Sequence, residues 1–223
     1  MTRQAAVASH MSAMNRRLLL SAPLLAAGLV ALPRPGRAEI DPTRAAAFIQ
    51  AAGNELVAAI NDPRLDLATR RDRVAATLRR TIDIEGTGRF ILGRYVRQAS
   101  AAELAEYNRL FDDIIVRNLS ARFGEYRGVK FSLGRSQQRT EEDVLVNTIV
   151  ERPNTPAFAL DWRVSEIGGQ PRVVDVIAEG TSLRLTTRSE YSAVIQRNGG
   201  RVASLLDAMR NQIGQLAARE GRG

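Results

Sequence analysis

Residues 158–177 read Phe158-Ala159-Leu160-Asp161-Trp162-Arg163-Val164-Ser165-Glu166-Ile167-Gly168-Gly169-Gln170-Pro171-Arg172-Val173-Val174-Asp175-Val176-Ile177. From Phe158 to Val164 apolar and polar residues alternate one for one, which is the period of a strand with one face turned inward. Gly168-Gly169 supplies the positive backbone angles of a tight hairpin, and Val173 to Ile177 resumes a β-branched run. Two antiparallel strands result, and the face carrying Phe158, Leu160 and Trp162 must be covered by something else.

Upstream the same period holds in Val129, Phe131 and Leu133, which alternate with Lys130 and Ser132, and Asp143 to Glu151 is again rich in β-branched residues. Four consecutive strands with short links predict an antiparallel meander. Before Gly124 the spacing is helical. Asp41-Pro42 forms an N-cap with proline at the first helical position, followed by Ala45, Phe48, Ile49, Ala52, Leu56, Ala59 and Ile60. A second helix, broken from the first by Asp62-Pro63, carries Leu67, Val74, Leu78 and Ile82. Phe90 to Val96 is a shorter apolar segment. Ser100 and Glu103 form a capping box that opens a fourth helix, running to about Phe123. Downstream, helices are expected over about Thr186 to Asn198, closed by Gly199, and over Val202 to Ala218. The fold class is therefore α+β, one domain in which a curved antiparallel sheet is wrapped by N-terminal and C-terminal helices.

The N-terminal 38 residues read differently. Arg16-Arg17 is followed by an uncharged stretch, Leu18 to Leu32, and then by Gly36-Arg37-Ala38, the basic, apolar and small-residue order of an export signal. The apolar stretch is short of the roughly 20 residues that span a bilayer. Residues 1–38 are thus expected to be a cleavable signal peptide and 39–223 the mature domain, placed in the periplasm. The arginine pair suits either the general secretory or the twin-arginine route.

Charge and missing residues narrow the chemistry. The chain has 32 Lys and Arg against 24 Asp and Glu, a net charge of +8. Residues 1–38 hold five of those arginines and no acid, so residues 39–223 carry 27 bases against 24 acids, close to balance. Arg70, Arg71, Arg73, Arg79 and Arg80 alternate with acids and apolar residues along the second helix, which reads as a solvated face rather than a nucleic-acid surface. The chain has no Cys, and its one His, His10, lies in the expected signal. A Ser-His-Asp triad, a Cys nucleophile and the usual zinc ligand set are excluded from the mature part. No cofactor or metal is called for, and stability must come from packing rather than disulfides.

The segment Glu85 to Gly93 is glycine-rich but lacks the Gly-Lys-Ser/Thr ending of a phosphate loop and follows no strand. Asp161, Asp175 and Glu179 are expected in strands, where a buried carboxylate can act as a base; alternation turns Asp161 away from the Trp162 face. Where a curved sheet holds helices at a distance, an apolar cavity forms. Three readings therefore stand: a carrier for an apolar ligand, a carboxylate-based enzyme, and a ligand-free protein-docking module.

Three segments carry a resemblance. Phe90-Ile91-Leu92-Gly93-Arg94-Tyr95-Val96-Arg97-Gln98-Ala99-Ser100 is similar to the pattern F-x-L-G-R-Y-W-R-x-A-S. The helix with Phe111 ends near Arg122, Tyr126 and Gly128. Val173 to Leu183, followed by Arg188-Ser189-Glu190-Tyr191, is similar to V-x-D-V-x-x-E-G-V-S-L with Y-R-S-x-F. On these the chain resembles the MlaC, or toluene-tolerance, family of periplasmic phospholipid-transport proteins, over roughly Ala45 to Leu216. Val96, Pro171-Arg172 and Tyr191 depart from the pattern at positions where Trp, Trp-Lys and Phe are usual.

The resemblance implies a nuclear-transport-factor-like sheet that encloses acyl chains and leaves the head group near solvent. It implies a carrier, not an enzyme, that shuttles phospholipid between an outer-membrane lipoprotein complex and an inner-membrane ABC transporter and so maintains outer-membrane lipid asymmetry. A hopanoid-associated branch of the family makes a polycyclic triterpenoid the alternative cargo. The expected cavity wall, chosen by inward phase and by position between sheet and helices, is Phe90, Leu92, Tyr95, Phe111, Ile115, Val146, Phe158, Leu160, Trp162, Val174 and Val176. Arg94 and Arg97 are expected either to meet the lipid phosphate or to form structural ion pairs.

Overall fold

A computed structural model of the chain describes residues 40–124 and 128–220. The expected signal at residues 1–38 and Tyr126 lie outside the described residues, as does the side chain of Arg122.

The first helix, α1 (Pro42–Asn61), starts where the Asp41 carboxylate accepts the Thr43 N–H, so the expected cap is present. It turns Ala45, Ile49, Gly53, Leu56, Ala59 and Ile60 inward. Next comes α2 (Leu67–Thr81), capped by Asp66. Its end differs from the sequence reading. The spacing Val74, Leu78, Ile82 predicts a helix through Ile82, yet Ile82 is extended and bridges Val173, with the Asp83 N–H donating to the Val173 carbonyl at 2.9 Å. A backbone partner on the sheet outweighs one more turn of local spacing.

The short apolar segment divides into α3 (Ile84–Leu92) and a 3-10 turn (Gly93–Arg97), which meet at Gly93 with φ +56°. Ser100 and Glu103 form the expected box: the Ser100 N–H donates to the Glu103 carboxylate (2.9 Å), and the Glu103 N–H to the Ser100 Oγ (3.2 Å). They open α4 (Ala101–Gly124).

The sheet is an antiparallel meander of β1 (Lys130–Thr140), β2 (Asp143–Arg152), β3 (Thr155–Ile167), β4 (Gln170–Ala178) and the two-residue β5 (Thr181–Ser182), in that spatial order. The register shifts at four points, two of them beside hairpins at Gln138/Thr140 and Val150/Arg152 and two within the strands. Leu133 faces Thr148 and Ser136 faces Val146, a bulge at Gly134; Arg163 faces Asp175 and Val164 faces Val173, which leaves Val174 as the extra residue in β4. Helix α5 (Leu183–Arg197) starts three residues before the expected Thr186, because Ser182 caps it by accepting the Leu185 N–H. It is followed by α6 (Val202–Glu220).

Two apolar compartments result. In the first, Leu92, Tyr95, Tyr107, Phe111, Ile195, Leu205 and Met209 pack helix against helix without the sheet. Tyr107 stacks on Phe111 with ring centroids 5.8 Å apart, and Tyr191 meets Tyr107 edge-on. In the second, α1 and α2 cover the sheet face that carries Val144, Val146, Val150, Leu160, Trp162 and Val173.

The tyrosines of the helical compartment make an alkaline prediction. Burial pushes Tyr191 up to about 12 and raises Tyr107 as well. An unfolded tyrosine titrates near 10. Folded values above the unfolded one mean that the neutral phenols contribute stability fully below pH about 10, and that this is lost as pH climbs toward 12. With one Lys in the chain and arginines that stay protonated, tyrosines dominate that window. Circular dichroism against pH is expected to show cooperative unfolding there. The Tyr191→Phe variant should move the midpoint upward, and an unmoved midpoint would remove Tyr191 from the account.

Candidate functional site

Between α1, α2 and the sheet lies an apolar chamber. Ile49, Ala52, Gly53, Leu56, Val57 and Ile60 of α1 form one side, and Leu78, Thr81 and Ile82 continue it. Val129, Phe131, Val150, Leu160 and Trp162 form the sheet side. The polar atoms of this wall are paired with groups behind it. Trp162 Nε1 donates to Thr148 Oγ1 at 2.8 Å, the Thr148 hydroxyl donates to the Leu160 carbonyl at 3.3 Å, and the Thr81 hydroxyl donates to the Thr77 carbonyl at 2.8 Å. No titratable side chain lines the chamber. It offers hydrocarbon surface and no acid, base or nucleophile.

Its size matters as much as its chemistry. The chamber measures about 50 Å³, whereas an engineered cavity of about 150 Å³ holds a single benzene. Admission of a longer apolar group therefore requires α1 and α2 to part from the sheet. Helix α1 is held at both ends. Arg44 pairs with Glu166 and donates to the Gly169 carbonyl (3.0 Å) at one end. At the other, the Asn61 amide bonds the Val129 carbonyl and the Gly128 N–H at 3.0 and 2.9 Å. In its middle, between these ends, α1 faces the chamber, and Glu55 there pairs with Arg80 of α2.

Gly53 sits in that middle. A Cβ there would fall 2.6 Å from Cζ of Phe131, so the ring must shift by about 1 Å to regain ordinary contact distance. Helix propensity favours alanine over glycine by roughly 0.5–1 kcal/mol, while forcing an extra methyl into a packed site costs about 1–3 kcal/mol. Gly53→Ala is therefore expected to be neutral to mildly destabilising, with Phe131 driven into the chamber and uptake of apolar probes reduced. Thermal denaturation beside binding of a fluorescent fatty acid checks both; unchanged uptake would show that the ring finds another place.

The structure divides the residues expected from inward phase and from position between sheet and helices. Leu160 and Trp162 line the chamber. Val146 and Val176 lie on the same sheet face, packed toward α1, and Phe158 packs beside Leu160. Val174 is the bulge residue of β4. Phe90, Leu92, Tyr95, Phe111 and Ile115 belong to the helical compartment and do not reach the chamber. Phe90 takes cations instead, with the Arg184 and Arg188 guanidinium carbons 4.0 and 4.8 Å from its ring centroid. Arg94 and Arg97 are exposed on the 3-10 turn, away from the chamber. Arg94 donates to the Tyr95 hydroxyl at 2.9 Å, and that hydrogen bond holds the phenol below its ordinary range. Missing from the phase-derived list are the whole α1 wall, Leu78, Thr81, Ile82, Val129, Phe131 and Val150. Their signal in the sequence was Gly53, a glycine inside a helical pattern that calls for a close neighbour.

The carboxylates face elsewhere. Asp161, on the opposite face from Trp162, accepts from the Asn147 amide at 2.8 Å. Asp175 accepts from the Ser182 hydroxyl (2.6 Å) and the Arg184 N–H (3.1 Å), and lies 3.8 Å from the Arg184 guanidinium. Glu179 is an exposed turn residue with φ +52°. Arg70 departs from the solvated-face reading of its helix: it is 3% exposed, on the inward side with Val74 and Leu78.

Comparison with known proteins comes to the same architecture. The family described as MlaC protein matches residues 50–211. Among solved structures, the chain is similar to a phospholipid-binding protein from Ralstonia solanacearum in complex with a phospholipid, with a TM-score of 0.69 and 24% sequence identity. The match covers 78% of this chain and 98% of that one, and at this identity it speaks for the fold.

Proposed function

This chain belongs to the MlaC family, and on that premise we propose that it is a carrier that holds phospholipid acyl chains in the chamber between α1, α2 and the sheet. The observation that carries this reading is the wall itself, apolar in its surface, with its few polar side-chain atoms bonded to groups behind it. Such a wall supplies transfer free energy without chemistry. At roughly 0.8 kcal/mol per methylene, a chain of about fifteen methylenes gains about 12 kcal/mol on leaving water. That term sets the scale of what is available to separate α1 and α2 from the sheet. The family match and the phospholipid in the Ralstonia solanacearum relative's structure support phospholipid as cargo.

The fuller reading is a periplasmic shuttle, released from residues 1–38, that passes phospholipid between an outer-membrane lipoprotein complex and an inner-membrane ABC transporter and maintains outer-membrane asymmetry without catalysis. A carboxylate-based enzyme needs an acid facing the cavity, and among the described residues none lines it. Mass spectrometry of organic extracts, from protein purified out of the periplasm without detergent, tests the carrier. Stoichiometric phospholipid is expected. A hopanoid would change the cargo, and absence of lipid with no uptake from added vesicles would overturn the reading.

A further inference from the structure

The chamber lies on a seam between two apolar groups. On one side Ile49, Val146 and Val173 belong to a group between α1 and the sheet, with Trp162 packed on it. On the other side Leu56, Leu78 and Val150 belong to a second group, with Leu160 packed on it. Two half-buried side chains, Ile82 and Phe131, pack against both groups, and both line the chamber.

These two are held differently. Ile82 is fixed through its backbone: it bridges Val173, and the Asp83 N–H donates to the Val173 carbonyl at 2.9 Å. Phe131 stands on β1, the first strand of the sheet, whose strand neighbour among the described residues is β2 on one side. Its ladder to β2 is interrupted three residues further on by the bulge at Gly134. A strand bonded along one edge gives way more easily than one bonded along both. The ring itself is seated on Gly53, where a Cβ would collide with it. A glycine inside a helix costs stability relative to alanine, and room for this ring is what that cost provides. Moving the ring out would free roughly the space of one benzene, about 150 Å³ on the scale of an engineered cavity. The chamber beside it measures about 50 Å³.

Building on the carrier reading above, we propose that Phe131 is the stopper of the chamber: in the closed form its ring occupies the place that an apolar chain takes, and its displacement toward the open edge of β1 admits the cargo. Phe131 thereby governs how fast the carrier loads, whereas a wall residue such as Leu160 governs how firmly it holds. A displaced form that makes up roughly 0.1–10% of the molecules slows loading by the same fraction.

The test is stopped-flow uptake by the lipid-free mature chain from phosphatidylglycerol vesicles doped with a lipid that carries one fluorescent acyl chain. Phe131→Ala is expected to load about tenfold or more faster than the wild-type chain and to reach at least its occupancy. Phe131→Leu, which keeps apolar packing, should also load faster, and it decides the question should the alanine variant lose its fold by circular dichroism. Leu133→Ala is the control. Leu133 lies two positions along β1, packs on the same apolar group and does not line the chamber, so its variant should load at the wild-type rate. Loading at the wild-type rate with faster release in the Phe131 variants would make Phe131 a wall residue and overturn the proposal while the carrier stands. Equal acceleration by Leu133→Ala would make general loosening of β1 the cause and overturn it as well. No uptake by the wild-type chain overturns the carrier reading, and the stopper with it.

Discussion

Replacing Asp175 by alanine is expected to lower the unfolding midpoint by about 6–20 °C. The carboxylate is 6% exposed as a residue and receives the Ser182 hydroxyl, the Arg184 N–H and, at 3.8 Å, the Arg184 guanidinium. Ser182 in turn caps α5 by accepting the Leu185 N–H. One side chain thus ties β4, β5 and the start of α5 together. Its removal leaves Arg184 enclosed, with Nε already lacking a hydrogen bond and now losing its ion-pair partner. Burial is the first cause that holds the Arg184 pKa below the arginine value, and the positive charge of Arg163 adds to it. Breaking a buried pair from one side costs about 3–5 kcal/mol, and in a domain of this size each kcal/mol moves the midpoint by about 2–4 °C. Both side chains are largely enclosed, at 13% and 3% exposure, so solvent screening does not cancel the loss. Asp175→Asn keeps an acceptor for the Arg184 N–H and should lose less. Calorimetry decides between these accounts, and a shift within about 2 °C for the alanine variant would mean that Ser182 and Arg184 find other partners.

Leu160→Arg is expected to abolish lipid retention. Leu160 lies on β3 opposite Thr148 and Ala178, at the chamber wall. A guanidinium there has no carboxylate to meet, and a charge buried unpaired costs several kcal/mol, a loss of roughly a hundredfold or more in affinity. The side chain is only partly buried, so its long stem can carry the charge toward water and the fold should survive. Ile149→Arg is the control. Ile149 sits one position along on β2, on the opposite sheet face, and is 40% exposed. Circular dichroism should be unchanged in both variants and co-purified lipid lost only in the first. Lipid retained at the wild-type ratio by Leu160→Arg would take this residue out of the binding wall and move the cargo elsewhere.

The contrast between these two positions shows what a sequence conveys and what it withholds. Caps are local chemistry, so Asp41-Pro42 and the Ser100–Glu103 box were legible, and strict alternation through Phe158 to Val164 announced the sheet. Local spacing does not reveal the break at Ile82, because its partner, Val173, is about ninety residues away. The start of α5 is hidden for a similar reason: Asp175, seven residues before Ser182, organises it across a turn. The cavity wall was harder. Inward phase says that Phe111 and Leu92 are buried, but it does not say in which compartment, and α3 to α6 close on themselves rather than on the sheet. Arg70 shows the reverse error, a charge assigned to solvent by its type and held inside by its helical position.

Trp162 is the single tryptophan of the chain, and its indole forms part of the chamber wall with its N–H already bonded to Thr148. The protein therefore carries its own optical probe at the place of interest. Emission excited at the indole band comes from one site, with a fixed hydrogen-bond partner and an apolar face at the chamber. A shift in its wavelength or quenching on mixing with vesicles would give the loading and unloading rates directly, without a label and without a second fluorophore to subtract.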